Sequence, residues 1–268
     1  MNESIRAVER ALNILLCFSM QTPELSMTQI SEMVGLHKST VHRLLATLER
    51  MRFVQRDPLT SMYRPGIRLL QMAYLTLEHN DLSRIALPFM RHLCELHRET
   101  IDLSVLDDSD VVFTEVVESP QRVKLAAAKG QRLPAACTAS GKSILAFLPA
   151  EKVQAILDRG ITRFTQYTPC SASEVWEDLK VAQKDGFALS EQELEEGINA
   201  VSAPIFDADR RPVASIAIAG PAYRLTRERM VAMGPDIIAA CEGISRELQL
   251  ATLPQPVVED LAEIEEVD

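Results

Sequence analysis

Between residues 26 and 50 the chain reads SMTQISEMVGLHKSTVHRLLATLER, and no other stretch narrows its possible folds as sharply. Met27, Ile30 and Val34 recur at helical spacing behind Ser26, whose hydroxyl is placed to cap a helix start. Gly35 follows where a left-handed residue ends such a helix. Val41, Leu44, Leu45 and Leu48 then line one side of a second helix, predicted over Lys38–Arg50, and leave its other side polar and basic. Two short helices with one apolar stripe each, joined by a tight turn, bury those stripes by crossing over one another. That arrangement is a helix-turn-helix.

The flanks extend this unit. Ile5, Val8, Leu12, Leu15 and Leu16 predict an amphipathic helix over 5–18, broken by Gln21-Thr22-Pro23-Glu24. Phe53-Val54-Gln55-Arg56 and Met62-Tyr63-Arg64 read as two short strands around the turn-forming residues 57–61, with Pro65 as a stop. A hairpin at this place is a wing. Residues 67–79 return to helical spacing and read as a linker helix.

Charge separates this region from the rest. The chain of 268 residues carries a formal −10, which by itself argues against nucleic acid. Yet residues 36–68 hold seven Lys and Arg against two acids, whereas the last 18 residues hold six acids and no base. A basic segment in an acidic chain marks one polyanion-binding module on a larger body. The five cysteines form no Cys-x-x-Cys pair and fit a reducing compartment. The opening residues are no signal peptide, and no run of 18 apolar residues occurs, so a cytoplasmic protein with no membrane partner is expected.

After Asn80-Asp81-Leu82-Ser83 comes a helix at about 84–98, and then the period changes to two. Residues 101–106 and 111–117 predict a hairpin around Asp107-Asp108-Ser109-Asp110, and 123–128 a third strand. Helices are expected at 141–148, 151–159 and 173–184, the last capped by Ser173. Strands are expected at 187–190, 200–206 and 213–219, and a long helix from Thr226 to about 249. Strands paired through hairpins and mixed with helices indicate an α+β domain. The expected organisation is therefore a DNA-binding unit at 1–66, a linker at 67–80, a second domain at 81–250 and a frayed acidic tail at 251–268.

These residues resemble the IclR family of bacterial transcription regulators over roughly 4–250. The resemblance rests on the 35–48 segment GLHKSTVHRLLATL, on Arg56-Asp57-Pro58 and on Tyr63-Arg64-Pro65-Gly66. It continues in Leu133-Pro134, Thr138-Ala139-Ser140-Gly141-Lys142, the 193–198 segment ELEEGI, the 203–207 segment APIFD and Ala219-Gly220-Pro221. It implies a winged helix-turn-helix joined to a GAF-like effector domain. It also implies homodimers, often dimers of dimers, that bind double-stranded operator DNA and answer to a small-molecule effector. It implies no catalytic residue, metal or cofactor.

Base edges are read by short polar and basic side chains from the first turns of a recognition helix. Lys38, Ser39, Thr40, His42 and Arg43 lie there, and Arg43 has the fork that matches two acceptors of guanine. Arg56 and Arg64 on the wing, with Thr28 and Gln29 on the helix before, are expected at phosphates. The resemblance further implies an effector cavity lined by Leu133, Thr138, Ala139, Ser140, Gly141, Ser190, Ala200, Ala217 and Ala219. Relatives that bind very small acids such as glyoxylate or pyruvate carry an Asp, a Cys and two Ser where this chain has Ser190, Ala200, Ala217 and Ala219. An apolar or aromatic body, with a carboxylate held at Ala139-Ser140, is therefore expected here.

Other signals point elsewhere. Gly141-Lys142-Ser143 resembles the end of a phosphate-binding loop, but Ala136 stands where its first glycine belongs. His92 and His97 are five residues apart and share no helix face. Cys137 lies near a helix start, where a thiol pKa is lowered, but no partner His can be placed for a thiol nucleophile. An enzyme of small acids or amides with an N-terminal assembly module is the alternative reading.

Overall fold

A computed structural model of the chain describes residues 5–19, 22–78 and 81–251; the expected acidic tail beyond Ala251 lies outside them. Contacts divide the chain into two compact units, one up to residue 80 and one from residue 81. Among the described residues no helix is long and apolar enough to cross a membrane.

The first unit runs α1 (Arg6–Leu15), α2 (Met27–Val34), α3 (Lys38–Arg50), β1 (Val54–Arg56), β2 (Tyr63–Pro65) and α4 (Ile67–Glu78). Ser26 and Gln29 form a reciprocal capping box at the start of α2, and Gly35 ends it with φ 64°. At the start of α3 the His37 ring accepts the Ser39 N–H. Ile14, Ile30, Val41, Leu45, Val54 and Tyr63 form the core. Leu25 and Tyr63 exchange both backbone hydrogen bonds, which ties the segment before α2 to the wing.

The apolar stripe expected on α1 is only partly covered. Ile5, Val8, Leu12 and Leu16 are 69%, 52%, 54% and 79% exposed. Ile14 is buried instead, with Ala11 and Leu15 partly so. The helix is apolar on more than one side, and a single chain covers only the side nearest the core.

The second unit begins with α5 (Asp81–His97). It continues through β3 (Thr100–Asp107), β4 (Asp110–Val117), β5 (Arg132–Pro134), a 3-10 turn at Ala135–Cys137, α6 (Ala139–Leu145), α7 (Ala150–Leu157) and α8 (Ala172–Asp185). It closes with β6 (Ala188–Glu191), β7 (Ile198–Phe206), β8 (Pro212–Pro221) and α9 (Arg227–Ala251). The six strands form one antiparallel sheet in the order β5-β4-β3-β8-β7-β6. The architecture is α+β, as expected.

Strand alternation sends Ile101, Leu103, Val201, Ala203, Ile216 and Ile218 to one face, where they pack on α5 and α9. The opposite face carries smaller and more polar residues. Asp102 is paired with Ala217 and Ala217 with Ser202, while Ser190 is paired with Ala200 and Ala200 with Ala219. Helices α6, α7 and α8 build a second core on this side with Val111 and Ala188.

The third strand differs from its expected place. Residues 123–128 form no strand, because β4 takes its outer partners from 130–134 through Gly130, Gln131 and the β5 ladder. Helix α8 is capped by Ser171, not Ser173. Helix α6 starts at Ala139, two residues before its expected start, because the Thr138 side chain accepts the Gly141 N–H.

Candidate nucleic-acid interface and effector cavity

Burial of Val41, Leu45 and Leu48 sets the rotation of α3. Lys38, Ser39, His42 and Arg43 are consequently exposed, whereas Thr40 is half-buried. Ala46 and Arg50 lie on the same edge at helical spacing. Sequence reading passed over both, since one has no polar group and the other lies beyond the first two turns. Lys38 and Arg43 form no salt bridge among the described residues. Thr28 and Gln29 are also exposed, but the Gln29 side-chain oxygen is held by the Ser26 N–H and hydroxyl at 2.9 and 2.8 Å. Only its amide N–H groups remain for a phosphate.

The wing separates its two arginines. Cross-strand partners share a face, and the pairs are Arg56 with Tyr63 and Gln55 with Arg64. Arg56 therefore leaves on the side of the buried Tyr63, with its guanidinium 5.7 Å from the ring centre. Arg64 leaves on the other side. Asp57 closes the wing turn by accepting the N–H groups of Leu59 and Thr60, which hold its carboxyl below the usual range.

In the second unit a cavity of about 110 Å³ opens on the polar face of the sheet. Leu133, Thr138, Ala139, Ser140, Ser190, Ala200, Ala217 and Ala219 all line it. Gly141 does not: a side chain there would meet the Ala135 carbonyl oxygen at 2.1 Å, so this glycine serves the close approach of α6 to the preceding turn. Phe113, Leu125, Leu194 and Ile198 add apolar wall that sequence reading missed.

Asp102, Gln131, Glu195 and Asn199 are polar lining residues it also missed, and Asp102 is the buried charge among them. The residue is 2% exposed, lines the cavity, and accepts the hydroxyls of Ser104 at 2.8 Å and Ser140 at 3.2 Å on Oδ1. Burial pushes its pKa up to about 6, and the two serine hydroxyls pull the other way. Its signal was a charged residue in the alternating run of β3, which reads as a solvent-facing position. The acidic wall bears on the ligand expected at Ala139-Ser140. Among the described residues no Lys, Arg or His lines the cavity, so a carboxylate at Ala139-Ser140 would meet Asp102 with no side-chain counter-charge.

Behind the cavity, Lys142 is buried with Nζ 2.6 Å from Glu193 and 2.8 Å from Asp178. This contact joins α6 to the β6–β7 connection, two walls of the cavity. The P-loop-like Lys142 is thus an internal ion-pair partner. The Cys137 thiol is pushed up to about 11, chiefly by burial, so it stays protonated at neutral pH.

Residues 74–246 match the family profile described as the bacterial transcriptional regulator IclR C-terminal, and residues 7–58 match the IclR helix-turn-helix domain. The transcriptional repressor IclR of Escherichia coli (strain K12) is 30% identical over 244 residues, covering 90% of this chain and 89% of that protein. The HTH-type transcriptional regulator KipR of Bacillus subtilis (strain 168) is 29% identical over 249 residues, covering 92% of this chain and 99% of that protein. The crystal structure of the Thermotoga maritima IclR superposes with a TM-score of 0.71 at 28% identity, covering 92% of this chain and all of that one.

Proposed function

The chain belongs to the IclR family of bacterial transcription regulators, and on that footing we propose which residues read the operator and what kind of effector controls them. The DNA-binding unit is 1–66, α4 is the linker, and residues 81–250 hold the effector. The observation that carries the reading is the exposed edge of α3, where Lys38, Ser39, His42 and Arg43 stand opposite a buried apolar stripe. Arg43 pairs with a guanine in the major groove. Arg64, Lys38 and Thr28 hold phosphates and set register. Arg56 does so from the other face of the wing.

The test is a gel shift with DNA from upstream of the protein's own gene, read across a salt series. Arg43→Ala is expected to cost about 1–3 kcal/mol on the operator and far less on random DNA. Arg56→Ala is expected to weaken both alike. Equal behaviour of the two variants would refute the assigned roles.

We further propose that the protein acts as a homodimer, covering the exposed stripe Ile5, Val8, Leu12 and Leu16 with a second copy. Two recognition helices then meet half-sites one turn apart, about 34 Å, or a multiple of it. Leu12→Asp is expected to shift the mass measured by light scattering toward the monomer. Loss of the second half-site would lower operator affinity by about a hundredfold or more. An unchanged mass would reject this interface. The protein works in the cytoplasm, with the DNA.

The effector we propose is compact, with an apolar or aromatic body. An apolar cavity of about 150 Å³ admits one benzene, so the part of a ligand enclosed in the 110 Å³ found here is no larger than one ring. Binding that favours one arrangement of the dimer over another would be carried by α4 to the spacing of the recognition helices. Regulation and not catalysis is the role: the protonated Cys137 thiol is a poor nucleophile.

A further inference from the structure

The three side-chain hydroxyls around the effector cavity have a common polarity. The Ser140 hydroxyl donates to Asp102 Oδ1, that of Ser190 to the Cys137 carbonyl at 3.4 Å, and that of Thr138 to the Pro134 carbonyl at 3.2 Å. Each hydroxyl proton is thus directed into the protein, and lone pairs are left for the cavity. Asp102 Oδ2 accepts no hydrogen bond among the described residues. The exposed Glu195 adds a second carboxylate to the lining. The remaining donors among the lining side chains are neutral: the Gln131 amide, whose oxygen already accepts the Ala128 N–H, the Asn199 amide, which already donates to the Leu225 carbonyl, and the Cys137 thiol.

A buried carboxylate with one oxygen unpaired is costly unless something supplies a donor. We propose that the effector presents a hydrogen-bond donor, an ammonium in preference to a hydroxyl, to Asp102 Oδ2, and that Asp102 thereby selects small amines and alcohols over free carboxylic acids. The proposal rests on the reading of this cavity as the effector site. Ring-sized probes differing at one substituent separate the classes: benzylamine, benzyl alcohol and benzoate.

Calorimetric titration of the full DNA-free chain at neutral pH should give the order benzylamine, benzyl alcohol, benzoate from tightest to weakest. Asp102→Asn should weaken benzylamine by about tenfold or more, the usual loss when a charged hydrogen-bond partner is neutralised, while leaving benzoate unchanged or tighter. Benzoate binding tightest would overturn the proposal. So would equal benzylamine affinity in the wild type and Asp102→Asn, or no heat from any probe at millimolar concentration. Release of operator DNA by benzylamine tests the regulator reading separately: an amine that binds but leaves the complex intact would reject the effector role of the cavity and not its ligand class.

Discussion

Replacing Lys142 with methionine is expected to destabilise the second unit by about 3–5 kcal/mol, the usual cost of leaving a buried charge without its partner. The lysine is almost wholly enclosed and lies 2.6 Å from Glu193, which is itself buried and has Oε2 without a hydrogen-bond partner among the described residues. Asp178 is about half exposed and can return to water. Glu193 cannot. Burial already pushes its pKa up, and Lys142 is the main influence pulling it down.

Without the lysine, the Glu193 carboxyl moves further above its unfolded value of 4.5. The folded state then binds more protons than the unfolded state, so stability falls as pH rises through that window and recovers on acidification. Adding Glu193→Gln to Lys142→Met should restore most of the loss, since no buried charge is left unpaired. Urea unfolding of the three proteins checks this. A double variant as unstable as the single one would show that packing and not charge holds α6 to the β6–β7 connection.

Asp102→Asn should act in the opposite sense. Raising the Asp102 pKa from 3.8 to about 6 costs the folded state about 3 kcal/mol near neutral pH. An asparagine keeps an oxygen for the Ser104 and Ser140 hydroxyls and brings no charge to be desolvated. The variant is therefore expected to be more stable by about 2–3 kcal/mol at neutral pH.

The sign of the pH dependence follows from the raised value. Wild-type Asp102 binds its proton more readily when folded, so its penalty is absent below about 4, grows between the two pKa values and is complete above about 6. The gain of Asp102→Asn should vanish at low pH accordingly. Asp57 and Asp108 have lowered pKa values and the opposite slope, but they are common to both proteins and cancel in the difference. Thermal melts of both proteins across a pH series measure it. A variant less stable than the wild type at neutral pH would mean that the carboxylate is better compensated than its surroundings indicate. A stabilising change at a cavity residue is what a binding site poised for a ligand predicts.

The two units were legible in the sequence to different degrees. Helices α2 and α3 were bounded to the residue, because their determinants are local: Ser26 and Gln29, Gly35, and an apolar stripe repeating within 25 residues. The wing followed from turn chemistry over 57–61. On α1 the helical period was legible and its covering was not, since spacing gives a stripe but not what covers it. Helix α6 was misplaced by two residues because Thr138, and not a residue nearer Gly141, became its cap.

The cavity shows the division most clearly. Leu133, Ser190, Ala200, Ala217 and Ala219 were found through the family resemblance, and none of them has a chemical signal of its own. Asp102 has such a signal, but the alternation of Ile101 and Leu103 with Asp102 and Ser104 reads the same whether the second face meets water or protein. Helix identity, capping and the basic recognition edge are short-range matters, decided by neighbours within a few turns of chain. Whether Asp102 stands in solvent or in a closed, low-dielectric site was decided by α6, which arrives 38 residues later in the chain to place Ser140 on its carboxylate. Desolvation depends on everything packed around a group, and no local pattern carries that information.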